Sequence, residues 1–190
     1  KLFVKEDGII AGIEIATQIF KEFDNSFSVS PILKDGDKVK AGDIAFTVSG
    51  PSIALLSAER LVLNVMQRMS AIATLTNKYV KALEGLNTKV LDTRKTTPLI
   101  RFLEKEAVRI GGGVNHRYGL YDMIMLKDNH NDFAGGIENS INKTIKYLKN
   151  NKLNLKIEVE TRNIDEVKEV LKVGKIDRIM LDNFTYEQMK

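Results

Sequence analysis

The chain has 190 residues, 43% apolar and 28% charged, with no cysteine; that suits one large or two small globular domains and excludes disulfides and thiolate chemistry. The net charge of +4 is too mild for a nucleic-acid binder, and no basic run carries interleaved aromatics. No apolar run approaches the ~20 residues of a membrane span, and a reducing, cytoplasmic setting is the expectation.

The first 50 residues read as short strands and turns. Residues 27–31 are β-prone, residues 34–43 form a polar turn, and residues 44–48 alternate like a strand. Such turns occur in small β-rich modules that carry swinging cofactors. Here no lysine sits at a hairpin tip between apolar neighbours, so a half-buried sheet is the expectation. Residues 57–84 then show helical periodicity. Ala58, Leu61, Val65, Met69, Ile72 and Leu75 recur on one face, broadened by Met66, Ala73, Val80 and Leu83, with Ser57 as N-cap and Gly85 as stop. Met66 and Met69 read as core.

From Thr88 the rhythm becomes strand–helix alternation. Strands are expected at residues 89–92, 123–126, 155–159 and 178–181. The helices between them carry Ile100, Leu103, Ala107 and Ile110, then Ile137, Ile141, Ile145 and Leu148, then Ile164, Val167, Val170 and Leu171. Thr97-Pro98 reads as a cap followed by proline in the first turn, and Asn163 with Glu166 as a capping box. Residues 143–152 are the lysine-rich solvated face of a helix. Repeated βα units imply parallel strands with helical crossovers. The chain starts at Lys1 in a charged turn and stops at Lys190 as a further helix begins, so both ends read as cut from a longer protein.

The chemistry collects at strand ends. Asp92, Lys127, Glu160 and Asp182 close the four expected strands, and C-terminal strand ends face the ligand crevice of α/β proteins. Arg94, Lys95, His116 and Arg117 lie on the adjoining turns. One is Thr93-Arg94-Lys95-Thr96-Thr97-Pro98, and the other follows the run Gly111-Gly112-Gly113. Arginine forks and lysine point charges suit carboxylates and phosphates, and glycine-rich turns let backbone N–H groups join them. Glu160 and Asp182 on neighbouring strands can share a hard cation such as Mg²⁺. Asp92 alone reads equally well as a local cap, and His130, beyond the strand tip, reads as structural. No zinc site is expected, since the two histidines lack ligand spacing.

These segments carry a family resemblance, together with Asp7-Gly8-Ile9-Ile10-Ala11-Gly12, Glu59-Arg60-Leu61-Val62-Leu63-Asn64, Lys127-Asp128-Asn129-His130, Ile157-Glu158-Val159-Glu160 and Leu181-Asp182-Asn183-Phe184. In order over nearly the whole chain, they resemble quinolinate phosphoribosyltransferase, a decarboxylating pentosyltransferase of NAD biosynthesis. The resemblance implies an α/β fold. An N-terminal α+β domain, open-faced and sandwich-like, would span residues 1–87 with the long helix, and an incomplete parallel α/β barrel would span residues 88–190. It implies transfer from phosphoribosyl pyrophosphate to pyridine-2,3-dicarboxylate, giving nicotinate mononucleotide, pyrophosphate and carbon dioxide. Arg94, Lys95, His116, Arg117 and Lys127 would hold the dicarboxylate, and Arg60 would enter from the neighbouring subunit of a homodimer or an oligomer of dimers. Lys95, Lys127, Glu160 and Asp182 would be the catalytic set serving the phosphoribosyl and pyrophosphate groups, with Mg²⁺ held by Glu160 and Asp182 directly or through water. Two positions depart from the family pattern: Ala71 and Leu99 stand where glycine is common. The alternatives are a paralogue with another acceptor and a non-catalytic anion-binding module. Two-sided charge argues against the second.

Overall fold

The computed structural model describes residues 1–190, and contacts divide the chain into two compact units, Lys1–His116 and Arg117–Lys190. In chain order the first unit contains β1 (Leu2–Phe3), β2 (Gly8–Ile9), α1 (Ile13–Phe23), β3 (Ser28–Pro31), β4 (Lys38–Val39), β5 (Ile44–Ser49), α2 (Ser52–Ala82) and α3 (Arg101–Ile110). The division falls later than residues 87/88 because α3 packs on α2. Leu103 and Ala107 share a core with Met69 and Ala73.

Antiparallel strands β1-β5-β3 form one sheet and β2-β4 a second pair. Phe27 and Phe46 pack with Ile13, Ala16 and Phe20 of α1 and with Ala58, Val62 and Met66 of α2. Helix α1 stands where short strands and turns are expected. The β-branched residues Ile13, Ile15, Thr17 and Ile19 alternate with period 2, which masks the helical stripe of Ile13, Ala16 and Phe20. The helix starts after Gly12, whose φ of 99° favours glycine, and Asp35 accepts from the Ile13 N–H at 2.9 Å.

Helix α2 begins at Ser52 after Pro51, earlier than the expected Ser57 cap. Ser57 is inside the helix, donating to the Ile53 carbonyl at 2.8 Å. The buried face is Ala58, Val62, Met66, Met69, Ala73 and Thr76. Leu61 and Leu75, expected in the stripe, are exposed, while Met66 and Met69 are core as expected. Ser70 and Thr74 accept from the N–H groups of Ala11 and Ile9, at 3.0 and 2.9 Å, so the helix satisfies one donor in β2 and one just after it. Any side chain at Gly8 would meet Thr74 Oγ1 at 2.6 Å.

Three expectations between residues 88 and 116 change. Residues 89–92 make no strand, only a parallel bridge between Leu91 and Val114. Helix α3 begins at Arg101 instead of Pro98, because Leu99 takes a left-handed φ of 69°. The glycine run is not an anion cradle. The N–H groups of Gly111, Gly112 and Gly113 donate to Ala107, Arg109 and Val108 at 2.9–3.0 Å and close the end of α3. A Cβ at Gly111 would lie 2.5 Å from the Ala73 carbonyl oxygen, and one at Gly113 2.7 Å from Val108. These glycines admit close packing and a helix stop.

The second unit contains β6 (Ile124–Leu126), α4 (Asp128–Ala134), α5 (Ile137–Asn150), β7 (Ile157–Thr161), α6 (Ile164–Val173), β8 (Arg178–Leu181) and α7 (Tyr186–Met189). The strands are parallel in the order β6-β7-β8, and the crossovers are helical, as the βα rhythm predicts. One sheet face packs Ile157 and Val159 against Ile137 and Ile141 of α5 and Val170 of α6. Asn163 caps α6, accepting from the Glu166 N–H at 2.9 Å. Ile164 and Leu171, expected in the buried face of α6, are exposed, whereas Val170 is sealed.

Candidate active site

In the first unit the loop carrying Arg94 and Lys95 is anchored at both ends by α3. At one end Asp92 ion-pairs with Lys105, both side chains nearly sealed from solvent. Asp92 also accepts from Asn115 Nδ2 and, at 2.8 Å, from the His116 N–H, and Lys105 donates to the His116 carbonyl at 3.1 Å. The Asp92 carboxylate is therefore a hub that fixes His116. Its partners lie 13 to 24 residues away in sequence, so it is a long-range tie and not a cap of the turn that follows it.

At the other end Glu104 accepts from the Thr97 N–H at 3.0 Å and the Thr97 hydroxyl at 2.8 Å. It also takes Arg68 Nε and Nη2, at 2.9 and 2.6 Å. Burial pushes the Glu104 carboxyl up, but these donors and the Arg68 charge outweigh it and hold the group below the usual carboxylate value. Thr97 is thus a partner of Glu104, not the N-cap of α3. Between these anchors Arg101 donates to Thr96 Oγ1 and, more loosely, to the Arg94 carbonyl, at 3.1 and 3.4 Å. Arg94 Nε is buried without a hydrogen-bond partner. A buried guanidinium N–H lacking an acceptor is costly unless a ligand supplies one.

In the second unit the strand register sets the site. Ile157 and Val159 of β7 enter the core, so Glu158 and Glu160 face the opposite side of the sheet. Glu160 is level with Met180 of β8, and Lys127 follows Leu126, which is level with Val159. Lys127 and Glu160 meet at 3.4 Å. One member of the expected cationic half and one of the anionic half are thus an ion pair, while Asp182 of the anionic half is not part of it. Asp182 follows β8 in the phase of Arg178 and Met180. It accepts from Asn183 Nδ2 at 3.0 Å, and its N–H donates to the Thr161 carbonyl at 2.9 Å. Deeper on the same face, buried Glu158 pairs with Arg178 at 3.1 Å. Arg117 donates weakly to the Met123 carbonyl at 3.4 Å. His130 Nδ1 accepts from the Lys127 N–H at 3.0 Å, a capping contact at the start of α4 that matches its structural reading.

The first unit thus holds Arg94, Lys95 and His116 around α3, and the second gathers Lys127, Glu160 and Asp182 at the C-terminal ends of β6, β7 and β8. Arg60 is exposed on α2. No group of three or more histidine or carboxylate side chains could form a metal cage.

Comparison with known proteins assigns the chain. The family model described as quinolinate phosphoribosyl transferase, N-terminal domain, matches residues 1–70, and its C-terminal counterpart matches residues 72–190. The chain belongs to the quinolinate phosphoribosyltransferase family. It is 50% identical over 184 residues to quinolinate phosphoribosyltransferase [decarboxylating] 1b of Nicotiana tabacum, covering 94% of this chain and 52% of that protein. It is 43% identical over 186 residues to the probable nicotinate-nucleotide pyrophosphorylase [carboxylating] of Synechocystis, covering 97% and 61%. The crystal structure of NadC from Streptococcus pyogenes superposes with a TM-score of 0.91 at 41% identity, covering 98% of this chain and 65% of that one. The chain therefore spans about half the length of the plant relative and about two thirds of the bacterial structure.

Within the family frame, the two glycine departures have different consequences. Ala71 lies exposed on α2 without backbone strain. Leu99 occupies a left-handed position and is 97% exposed. The residues missed from sequence are Arg68, Arg101, Glu104 and Lys105. Glu104 carried a usable signal: it follows Ile100 by four residues and precedes Ala107 by three, inside the apolar stripe, where a charge requires a partner.

Proposed function

We propose that this chain supplies the phosphoribosyl-transfer site of a quinolinate phosphoribosyltransferase, which joins pyridine-2,3-dicarboxylate to phosphoribosyl pyrophosphate and releases pyrophosphate and carbon dioxide. The observation that carries the reading is the match of both family domains, in order, over nearly the entire chain. The buried, acceptor-free Arg94 Nε supports an anionic ligand at that loop.

In this reading Arg94, Lys95, His116, Arg117 and Lys127 hold the two carboxylates and set the ring nitrogen against the ribose carbon. Positioning of this kind lowers a barrier by roughly 7–11 kcal/mol at best. Lys95 and Lys127 also meet the phosphoribosyl and pyrophosphate groups. Glu160 and Asp182 face the ribose hydroxyls and the positive charge that develops on the sugar. After N-glycosylation the ring is a pyridinium, whose cationic nitrogen stabilises the electron pair left on the adjacent ring carbon as carbon dioxide departs; a proton from solvent then closes that carbon as C–H, so no organic cofactor is needed. Glu160 and Asp182 fit a Mg²⁺ ion that shares its shell with phosphate oxygens, and not one caged by protein alone. Bound there, Mg²⁺ would neutralise charge on the leaving pyrophosphate.

The reading includes a homodimer, or an oligomer built of dimers, in which Arg60 serves the neighbouring subunit. Ile53 and Leu56, 84% and 71% exposed near the start of α2, support an apolar contact there. The cysteine-free composition supports a cytoplasmic setting, although the Arabidopsis thaliana relative is named chloroplastic. No helix is long and apolar enough to cross a membrane.

The deciding experiment follows carbon dioxide released from carboxyl-labelled pyridine-2,3-dicarboxylate. Release that requires phosphoribosyl pyrophosphate supports the reading. Transfer to nicotinate with none to the dicarboxylate identifies a paralogue with another acceptor. Binding of the dicarboxylate without turnover identifies an anion-binding module.

A further inference from the structure

Adjacent residues of α3 hold opposite ends of the Arg94 loop. Lys105 takes the Asp92 end and Glu104 the Thr97 end. The Glu104 end is the more informative because it reaches a second helix. One carboxylate collects four donors, the Thr97 N–H and hydroxyl and two nitrogens of Arg68 from α2, and Arg68 Nη2 also reaches Thr97 Oγ1 at 3.2 Å. Glu104 is buried, while the Arg68 side chain is 54% exposed. Inside the loop, Lys95 N–H donates to Thr93 Oγ1 at 3.0 Å and Arg101 holds the Arg94 carbonyl. Backbone and threonine groups are thus occupied by the scaffold, whereas the Arg94 Nε is not.

We propose that Arg68 and Glu104 are positioning residues, which lock the Thr97 end of the loop so that Arg94 and Lys95 present a fixed pair of cationic groups to the dicarboxylate. The inference rests on the proposed function for the identity of that ligand. The physical reason is preorganisation: a loop already held in its binding geometry does not lose conformational freedom when the ligand arrives. Lys105 and Asp92 are poorer probes, because their ion pair is almost wholly buried and its loss threatens the fold.

The test uses the intact protein with Arg68→Met, Arg68→Lys, Glu104→Gln and Arg94→Lys. Two quantities are read well below each melting temperature. One is the rate of tryptic cleavage after Arg94 and Lys95, mapped by mass spectrometry. The other is the calorimetric affinity for pyridine-2,3-dicarboxylate. Arg68→Met and Glu104→Gln should each raise cleavage and weaken the dicarboxylate by about tenfold, the scale of one charge-assisted hydrogen bond. Arg68→Lys should recover part of both. Arg94→Lys should weaken the dicarboxylate without loosening the loop. If Glu104→Gln does not fold, the half-exposed Arg68 carries the test.

A fall in melting temperature with unchanged cleavage and affinity in Arg68→Met would make the bridge merely structural and overturn the proposal. Normal dicarboxylate affinity in Arg94→Lys would instead remove the ligand reading, and the functional inference with it, even where cleavage rises. The two failures are therefore distinguishable.

Discussion

Lys105 and Asp92 form an ion pair whose side chains are 3% and 6% exposed. Burying two charges is tolerated only when each has its partner and further hydrogen bonds, and Asn115 and the His116 N–H provide these for Asp92. Removing one partner strands the other. Lys105→Met and Asp92→Asn should each destabilise the protein by about 3–5 kcal/mol. Combining Lys105→Met with Asp92→Asn should cost less than the sum, since no charge is stranded. Urea unfolding with a double-mutant cycle measures this, and additive costs would show that the two side chains do not depend on each other.

Gly111 and Gly85 separate close packing from backbone conformation. An alanine at Gly111 would place Cβ 2.5 Å from the Ala73 carbonyl oxygen, whereas at Gly85, with φ of 84°, nothing lies within 4 Å. Gly111→Ala should cost roughly 1–3 kcal/mol by overpacking α3 against α2. Gly85→Ala should cost only the left-handed penalty of about 1–2 kcal/mol. Leu99→Gly should work in the opposite direction and stabilise by up to about 1 kcal/mol, because a nearly fully exposed leucine loses little packing when its strain is relieved. Chemical denaturation of the three variants checks the signs. A destabilised Leu99→Gly protein would show that glycine's unfolded-state freedom outweighs the strain.

Periodicity made the parallel half legible. Ile137, Ile141 and Val170 bury as expected, and strands form close to the expected positions because βα alternation is a strong local signal. Helix α1 was hidden, since a period-2 run of β-branched residues imitates a strand until Phe20 packs against Phe27 and Phe46, with ring centroids 5.2 and 6.2 Å apart. The strand ends Lys127, Glu160 and Asp182 could be found from sequence because side-chain alternation fixes their face. Asp92 stayed open, because a carboxylate before a turn looks alike whether it meets a ligand, a local backbone donor or a buried lysine thirteen residues later. The glycine run misled because sequence shows small residues and not which carbonyls take their N–H groups.

Glu104 gives a pH dependence of defined sign. Its folded-state pKa is depressed, so its contribution to stability is complete above the unfolded value, about 4.3, and is lost as pH falls through the folded value. Wild type should therefore exceed Glu104→Gln in stability at pH 7, and the gap should narrow below about pH 4.5. Urea midpoints of both proteins at stepped pH provide the measurement. A gap that widens on acidification would mean that burial, and not Arg68 and Thr97, dominates the group.

Arg60 is exposed on the long helix of the first unit, and in the proposed dimer it serves the neighbouring subunit. Arg60→Ala and Lys127→Ala proteins should each be inactive. Mixing them after subunit exchange should restore up to about a quarter of wild-type activity, since random pairing makes half the molecules hybrids and each hybrid regains one intact site. Native mass spectrometry verifies the exchange. Verified hybrids without activity would place Arg60 outside the shared site.

Glu160 and Asp182 provide the sharpest division between catalysis and architecture. Glu160 pairs with Lys127, whereas the Asp182 carboxylate accepts a hydrogen bond from its neighbour Asn183 and has no ion pair, so the two should respond differently. Asp182→Asn keeps shape and breaks no ion pair. It should leave stability within about 0.5 kcal/mol while lowering turnover and raising the Mg²⁺ requirement. Glu160→Gln also frees the Lys127 ammonium from its partner. It should slow turnover too, with a stability cost of up to about 1 kcal/mol, discounted because Lys127 is 45% exposed. Dicarboxylate affinity should stay within about 1 kcal/mol of wild type in both, since neither carboxylate is assigned to that ligand. Rates across a Mg²⁺ titration, with melting temperatures on the same samples, separate the two effects. A stable Asp182→Asn protein with unchanged turnover and Mg²⁺ dependence would remove the metal–pyrophosphate half of the proposal and leave Asp182 as a strand-end residue only.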